Sequence, residues 1–168
     1  MTNRNKIKGI YAGSFDPPTN GHLWMFEEGA ALFDDFIVAV GINPDKKYTF
    51  SINERLEMLR EITKKHENIT LDTFENQFLV NYAKNIGANY VLRGIRSEQD
   101  YGFERSMRHI NGDLNPDITT IFLMPPREIS EVSSSLVKGL IGPEGWRNIV
   151  RKYVPEVVYN KLLEKNKH

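Results

Sequence analysis

The chain has no cysteine and no surplus of either charge: Lys plus Arg and Asp plus Glu number 22 each. The first absence excludes disulfides, thiolate-held metals and a cysteine nucleophile, and fits a reducing cytoplasm. The second removes the overall basic field that nucleic acid or an anionic membrane surface would select, so any phosphate binding has to be local. A long apolar run is also missing. The opening residues MTNRNKIKG carry positive charge with no hydrophobic segment after them, and no apolar stretch approaches the ~20 residues of a membrane helix, so a soluble, unexported protein is expected. No internal repeat, low-complexity tract or linker interrupts the 168 residues, 40% of them hydrophobic. The expectation is one well-cored domain over 1–168, with a C-terminal helical tail from about 142.

What is present is a series of five short apolar runs: KGIYA (8–12), FIVAVGI (36–42), NITLDTF (68–74), NYVLRGI (89–95) and ITTIFLM (118–124). Most are continuous rather than alternating and helical patterns separate them, which predicts parallel strands covered on both faces: an α/β, Rossmann-like, doubly wound five-stranded sheet. Ser51 with Glu54 forms a capping box for a helix whose buried stripe is Ile52, Leu56, Leu59 and Ile62. A further helix begins near Gln77 and is closed by Gly87, and another begins near Ser133. Gly142, Pro143 and Gly145 mark a turn, and Pro155 can start a last helix with Val157, Val158 and Leu162 facing inward.

The stretch GSFDPPTNGHLWMFEEGAALF, from Gly13 to Phe33, reads as a tight loop leaving the first strand and entering a helix with Leu23, Phe26, Ala30 and Phe33 on one face. Thr19 or Asn20 can cap that helix, which puts His22 in its first turn, where free N–H groups and the positive helix end attract anions. With strand order 3-2-1-4-5, strands one and four are neighbours whose connections leave in opposite directions, and a crevice opens at their carboxyl ends. Arg93 and Arg96 lie at the end of the fourth strand with Gly94 between them; their guanidinium forks suit a polyphosphate, or alternatively pair with Glu98, Asp100 or Glu104. Lys46 and Lys47 follow the second strand, and Ser133, Ser134 and Ser135 open a helix after the fifth, as caps or as a phosphate cradle.

G-S-F-D-P-P-T-N-G-H resembles the first signature of the nucleotidylyltransferases. Together with the PxKK loop at Pro44 to Lys47, RGIR, D-Y-x-F-E and S-x-V-S-S-S-L-V-K, in order and at about the expected spacing, the chain resembles the bacterial phosphopantetheine adenylyltransferase family over nearly its whole length. The resemblance implies transfer of the adenylyl group of ATP to 4′-phosphopantetheine, giving dephospho-coenzyme A and pyrophosphate, with Mg2+, in a cytoplasmic homo-hexamer. It implies that Ser14 contacts the acceptor phosphate and ATP, and Phe15 offers its backbone to ATP. By the same resemblance His22 holds the α-phosphate and stabilises the transition state, Lys46 and Arg93 bind the acceptor phosphate, and Leu79 lies along the pantetheine arm. Gly94, Ile95, Arg96 and Glu104 would bind ATP, and Ile129, Ser130, Glu131, Val132, Ser133, Ser134 and Ser135 would close over its triphosphate. Gly102, Phe103 and Ile129 depart from the family's usual residues, as does the GPEGW tail. Trp24 and Met25, beside the opening motif, are the sequence's own candidates for a subunit contact. Two other readings remain: an adenylyltransferase for another phosphorylated acceptor such as nicotinate mononucleotide, and a nucleotide-binding module without catalysis.

Overall fold

A computed structural model describes residues 6–167. Five strands, β1 (Lys8–Gly13), β2 (Asp35–Ile42), β3 (Ile69–Glu75), β4 (Tyr90–Gly94) and β5 (Thr119–Leu123), form one parallel sheet in the order β3-β2-β1-β4-β5. The helices are α1 (Asn20–Leu32), α2 (Ile52–Thr63), α3 (Leu79–Asn85), α4 (Glu98–Leu114), α5 (Ser134–Gly139), α6 (Trp146–Val150) and α7 (Glu156–Lys165).

Successive residues of a strand point to opposite faces, and β2 shows why its run had to be continuous. Phe36, Val38 and Val40 enter one core with Phe26, Met58, Leu92, Val158 and Leu162, while Ile37 and Ala39 enter a second with Ile10, Val80, Ala83, Val91 and Ile118. The edge strand β3 has no such demand on both faces, and its exposure is mixed. Ser51 and Glu54 form the expected capping box, and Gly87 ends α3 with φ 71°. The inner stripe of α1 matches the expected one at Phe26 and Phe33, with Leu23 packed on the same core, but Ala30 is only half-buried. Within Asn20–Leu32, Met25, Phe26 and Gly29 are the buried residues, because α1 crosses the sheet so closely that a Cβ on Gly29 would stand 2.1 Å from the Phe36 ring. The short helix α6 was not legible in GPEGWRNIV; it starts from Gly145 at φ 81° and buries Trp146 and Val150.

Candidate active site

At the carboxyl ends of β1 and β4 lies a cavity of about 390 Å³. It is the switch-point crevice that the strand order requires. Of the residues expected there, Ser14, His22, Arg93, Gly94, Arg96, Glu104, Ile129, Val132, Ser133, Ser134 and Ser135 line it. A second cavity of about 280 Å³ adjoins, sharing Ala12, Gly13, Arg93, Phe103 and Glu104, and Leu79 lines it with Phe74, Phe78 and Met107. Phe15, Lys46, Ile95, Ser130 and Glu131 line neither. Phe15 is buried, Ile95 donates its N–H to the carbonyl of Leu123, and Lys46 stands exposed on the loop after β2.

The opening loop is fixed from several sides. Phe15 has φ 48°, a left-handed conformation that costs a bulky residue on the order of 1–3 kcal/mol. Its ring is fully buried in edge contacts with Tyr11, His22 and Phe26, which hold it there. Asp16, also buried, accepts the N–H groups of Thr49 and Phe50, each at 2.8 Å, and lies 3.5 Å from the ammonium of Lys138 on α5. The Ser134 hydroxyl donates to the carbonyl of Pro17 at 2.8 Å, and Ser133 accepts the N–H of Leu136 as the cap of α5. Two of the three serines therefore serve the fold first, and Ser135 keeps an exposed hydroxyl at the cavity wall. The segment before α5 lies directly on the first turn of α1: a Cβ on Gly21 would come within 3.1 Å of the Val132 carbonyl.

Thr19 is the N-cap of α1 and His22 its third residue. The imidazole Nδ1 accepts the backbone N–H of Thr19 at 3.0 Å, with the Thr19 hydroxyl at the same distance. A ring nitrogen that accepts carries no proton, so Nε2 holds it and is a donor. Burial, with the charge of Arg96 adding, pushes the His22 pKa down to about 4, so this donor is neutral at physiological pH. Asn20 is occupied by the tail: its N–H donates to the Tyr153 carbonyl at 2.9 Å and its amide to that of Lys152 at 3.0 Å.

Both arginines are paired to α4. Arg93 grips Glu104 through Nε (2.9 and 3.0 Å) and Nη2 (2.5 Å), which leaves Nη1, 3.4 Å from the Ala12 carbonyl, as its freest edge. Arg96 donates through Nε to Asp100 at 2.9 Å. Burial works against ionising Asp100, but the hydrogen bonds from Arg96 outweigh it and hold that carboxyl below its usual range. The paired state therefore coexists with a place in the cavity wall, and the two alternatives open for these arginines are not exclusive. Tyr11, which the sequence did not single out, also lines the cavity; burial pushes its hydroxyl up to about 12, so it is a neutral hydroxyl. Arg55 was missed too. It is buried on α2 and donates to the Ser14 carbonyl at 2.8 Å, and a signal existed, since it falls one turn before Leu59 on the buried face.

A parallel sheet wound in this order, with a donor-lined crevice at its switch point, defines a doubly wound α/β protein that binds its ligand at the carboxyl ends of β1 and β4. The cytidylyltransferase-like family model matches residues 10–140. Phosphopantetheine adenylyltransferases from Chromobacterium violaceum (62% identical, over 93% of this chain and 95% of the relative), Neisseria meningitidis (58%, over 96% and 95%) and Caldanaerobacter subterraneus (44%, over 94% and 96%) align with it. The chain belongs to the phosphopantetheine adenylyltransferase family. In fold it is similar to a nicotinic acid mononucleotide adenylyltransferase from Plasmodium falciparum complexed with APC, at TM-score 0.71 and 18% identity over 96% of both chains.

Proposed function

We propose that this protein transfers the adenylyl group of ATP to 4′-phosphopantetheine, giving dephospho-coenzyme A and pyrophosphate. The observation that carries the reading is the neutral Nε2–H donor of His22, fixed by Thr19 in a crevice that Arg93, Arg96 and the serine segment also line. The acceptor phosphate is already a nucleophile near neutral pH, so the chain's task is to align it with the α-phosphate and meet shifting charge with donors that need no reorganisation. In this reading His22 acts on the transition state. Gly94, Arg96 and Ser135 face the nucleotide within the cavity; Phe15, Ile95, Glu104 and the segment Ile129 to Ser134 shape it from around. Arg93, Ser14 and Lys46 take the acceptor phosphate, with the pantetheine arm along Leu79 in the adjoining cavity. The likeness to the mononucleotide enzyme supports the fold alone; the family supports the pantetheine acceptor.

Among the described residues no group of three or more His, Asp or Glu side chains comes together to hold a metal. Asp100 and Glu104, the carboxylates at the cavity, are engaged by the arginines. In this reading magnesium would enter as the complex it forms with ATP's phosphates. Self-association is part of the reading. Met25 is buried, while Trp24 packs on the core and stays partly exposed. On α4, Phe103, Ile110 and Leu114 are exposed, and with Met107 they form a stripe at spacings of four, three and four. A homo-hexamer packed through Ile110 and Leu114, the members of the stripe that line neither cavity, would brace the helix that holds Asp100 and Glu104. A cytoplasmic location follows from the substrates. The test is incubation with ATP, magnesium and a panel of phosphorylated acceptors, with mass spectrometry of the product: adenylylated phosphopantetheine as the dominant product supports the reading, and faster turnover of nicotinate mononucleotide overturns it.

A further inference from the structure

Arg55 is a buried cation, 2% exposed, for which no carboxylate among the described residues comes within ion-pair distance. Burying a guanidinium is costly unless something compensates it. Two contacts do so in part, while the buried Nε has no hydrogen-bond partner among the described residues. Nη1 donates to the Ser14 carbonyl at 2.8 Å, and the guanidinium lies 4.1 Å from the centre of the Tyr48 ring. The same ring carries a second cation, the ammonium of Lys46 at 5.9 Å, near the outer limit of about 6 Å for such an attraction. Arg55 thus touches the backbone of one residue assigned to the acceptor phosphate and stacks on the ring that carries the other.

We propose that Tyr48 is a positioning residue for the acceptor side of the site: stacked on Arg55, its ring fixes where the Lys46 ammonium stands relative to Ser14. The loop is built to hold the ring in place. The Tyr48 hydroxyl accepts the N–H of Asn43 at 2.9 Å, Asp45 donates its N–H to the Asn43 side chain at 2.9 Å, and Lys46 donates its own to the Asn43 carbonyl at 3.1 Å. The turn carrying Lys46 is thereby closed on the tyrosine that Arg55 anchors to α2. A flat guanidinium stacks on an aromatic face as an ammonium does not, so arginine suits the buried layer. The Lys46 contact is the longer and weaker of the two, and so lets the ammonium leave the ring for a phosphate. Without the ring, the four-carbon stem of Lys46 would be free to scatter its charge through solvent.

This inference rests on the acceptor assignment above, so its test has one arm that needs no turnover. In the first arm Tyr48→Leu and Tyr48→Phe are assayed with ATP and 4′-phosphopantetheine. Tyr48→Leu should raise the acceptor KM about three- to tenfold with the ATP KM within about twofold of wild type, and Tyr48→Phe, which keeps the ring and loses only the bond to the Asn43 N–H, should raise it clearly less. A parallel rise in both KM values, no rise at all, or a Tyr48→Phe variant as impaired as Tyr48→Leu would overturn the proposal. In the second arm the substrate-free protein is reductively methylated with carbon-13 and the Lys46 signal, assigned with Lys46→Arg, is read by NMR. A ring-current displacement in wild type that vanishes in Tyr48→Leu supports the stack; identical signals overturn it. A wild-type protein that does not adenylylate 4′-phosphopantetheine defeats the proposed function and leaves the second arm to decide on Tyr48.

Discussion

The backbone N–H of Thr19 reaches the Nδ1 of His22 at 3.0 Å, and this one bond decides which end of the imidazole faces the crevice as a donor. A helix cap, ordinarily a local stabilising device, here selects a tautomer. Because the cap and the imidazole share the same turn of α1, the fold itself holds the donor in place.

His22→Ala should therefore lower kcat by roughly 10²–10³, the usual cost of one preorganised donor, while ATP affinity measured without acceptor changes far less. Unchanged kcat beside a lowered melting temperature would show that His22 serves only the cap.

The same imidazole sets a pH dependence. Unfolded, it takes a proton near its ordinary 6.5, and folded only near 4, so between those values the unfolded state binds more protons and acidification removes stability. Urea midpoints should fall more steeply from pH 6.5 to 4.5 in wild type than in His22→Asn. Parallel curves would mean that the folded imidazole titrates like a free one.

The two arginines should differ in what their loss does to the fold. Arg93→Ala leaves the buried Glu104 carboxylate without its partner, at a cost on the order of 3 kcal/mol, and also raises the acceptor KM. Arg96→Ala breaks a more exposed pair and should cost about 1 kcal/mol or less. Adding Glu104→Gln to Arg93→Ala should recover stability without recovering the acceptor KM. Chemical denaturation beside steady-state kinetics on the three variants checks this, and equal stability losses for the two single variants would contradict it.

Gly29→Ala sets helix propensity against packing. Alanine is favoured over glycine in a helix interior by about 1 kcal/mol, but forcing a methyl into a filled core costs about 1–3 kcal/mol. A Cβ at 2.1 Å from the Phe36 ring should let packing win, and calorimetry should show a lower melting temperature. A higher one would mean that Phe36 can swing aside at no cost.

The exposed stripe of α4 predicts the assembly. Light scattering on wild type should give a mass several times that of the monomer, and the double variant Ile110→Asp with Leu114→Asp should reduce it. A monomeric wild type would remove the assembly from the reading.

Much of this was determined by the sequence alone. Continuous apolar runs separated by helical patterns force parallel strands buried on both faces, and strand order then locates the crevice, because connections diverge only at β1 and β4. His22 in the first turn of α1 was legible from spacing, since a cap and a helical period are local properties of the chain. What only the tertiary structure decided was which donors remain free for a ligand. Arg93 is turned by Glu104, eleven residues away; Ser134 is spent on Pro17, and Asp16 is shared between Thr49, Phe50 and Lys138. No local rule fixes those pairings. A polar side chain bonds to whichever partner the packed backbone brings within about 3 Å, and that proximity exists only once the sheet and its helices have assembled.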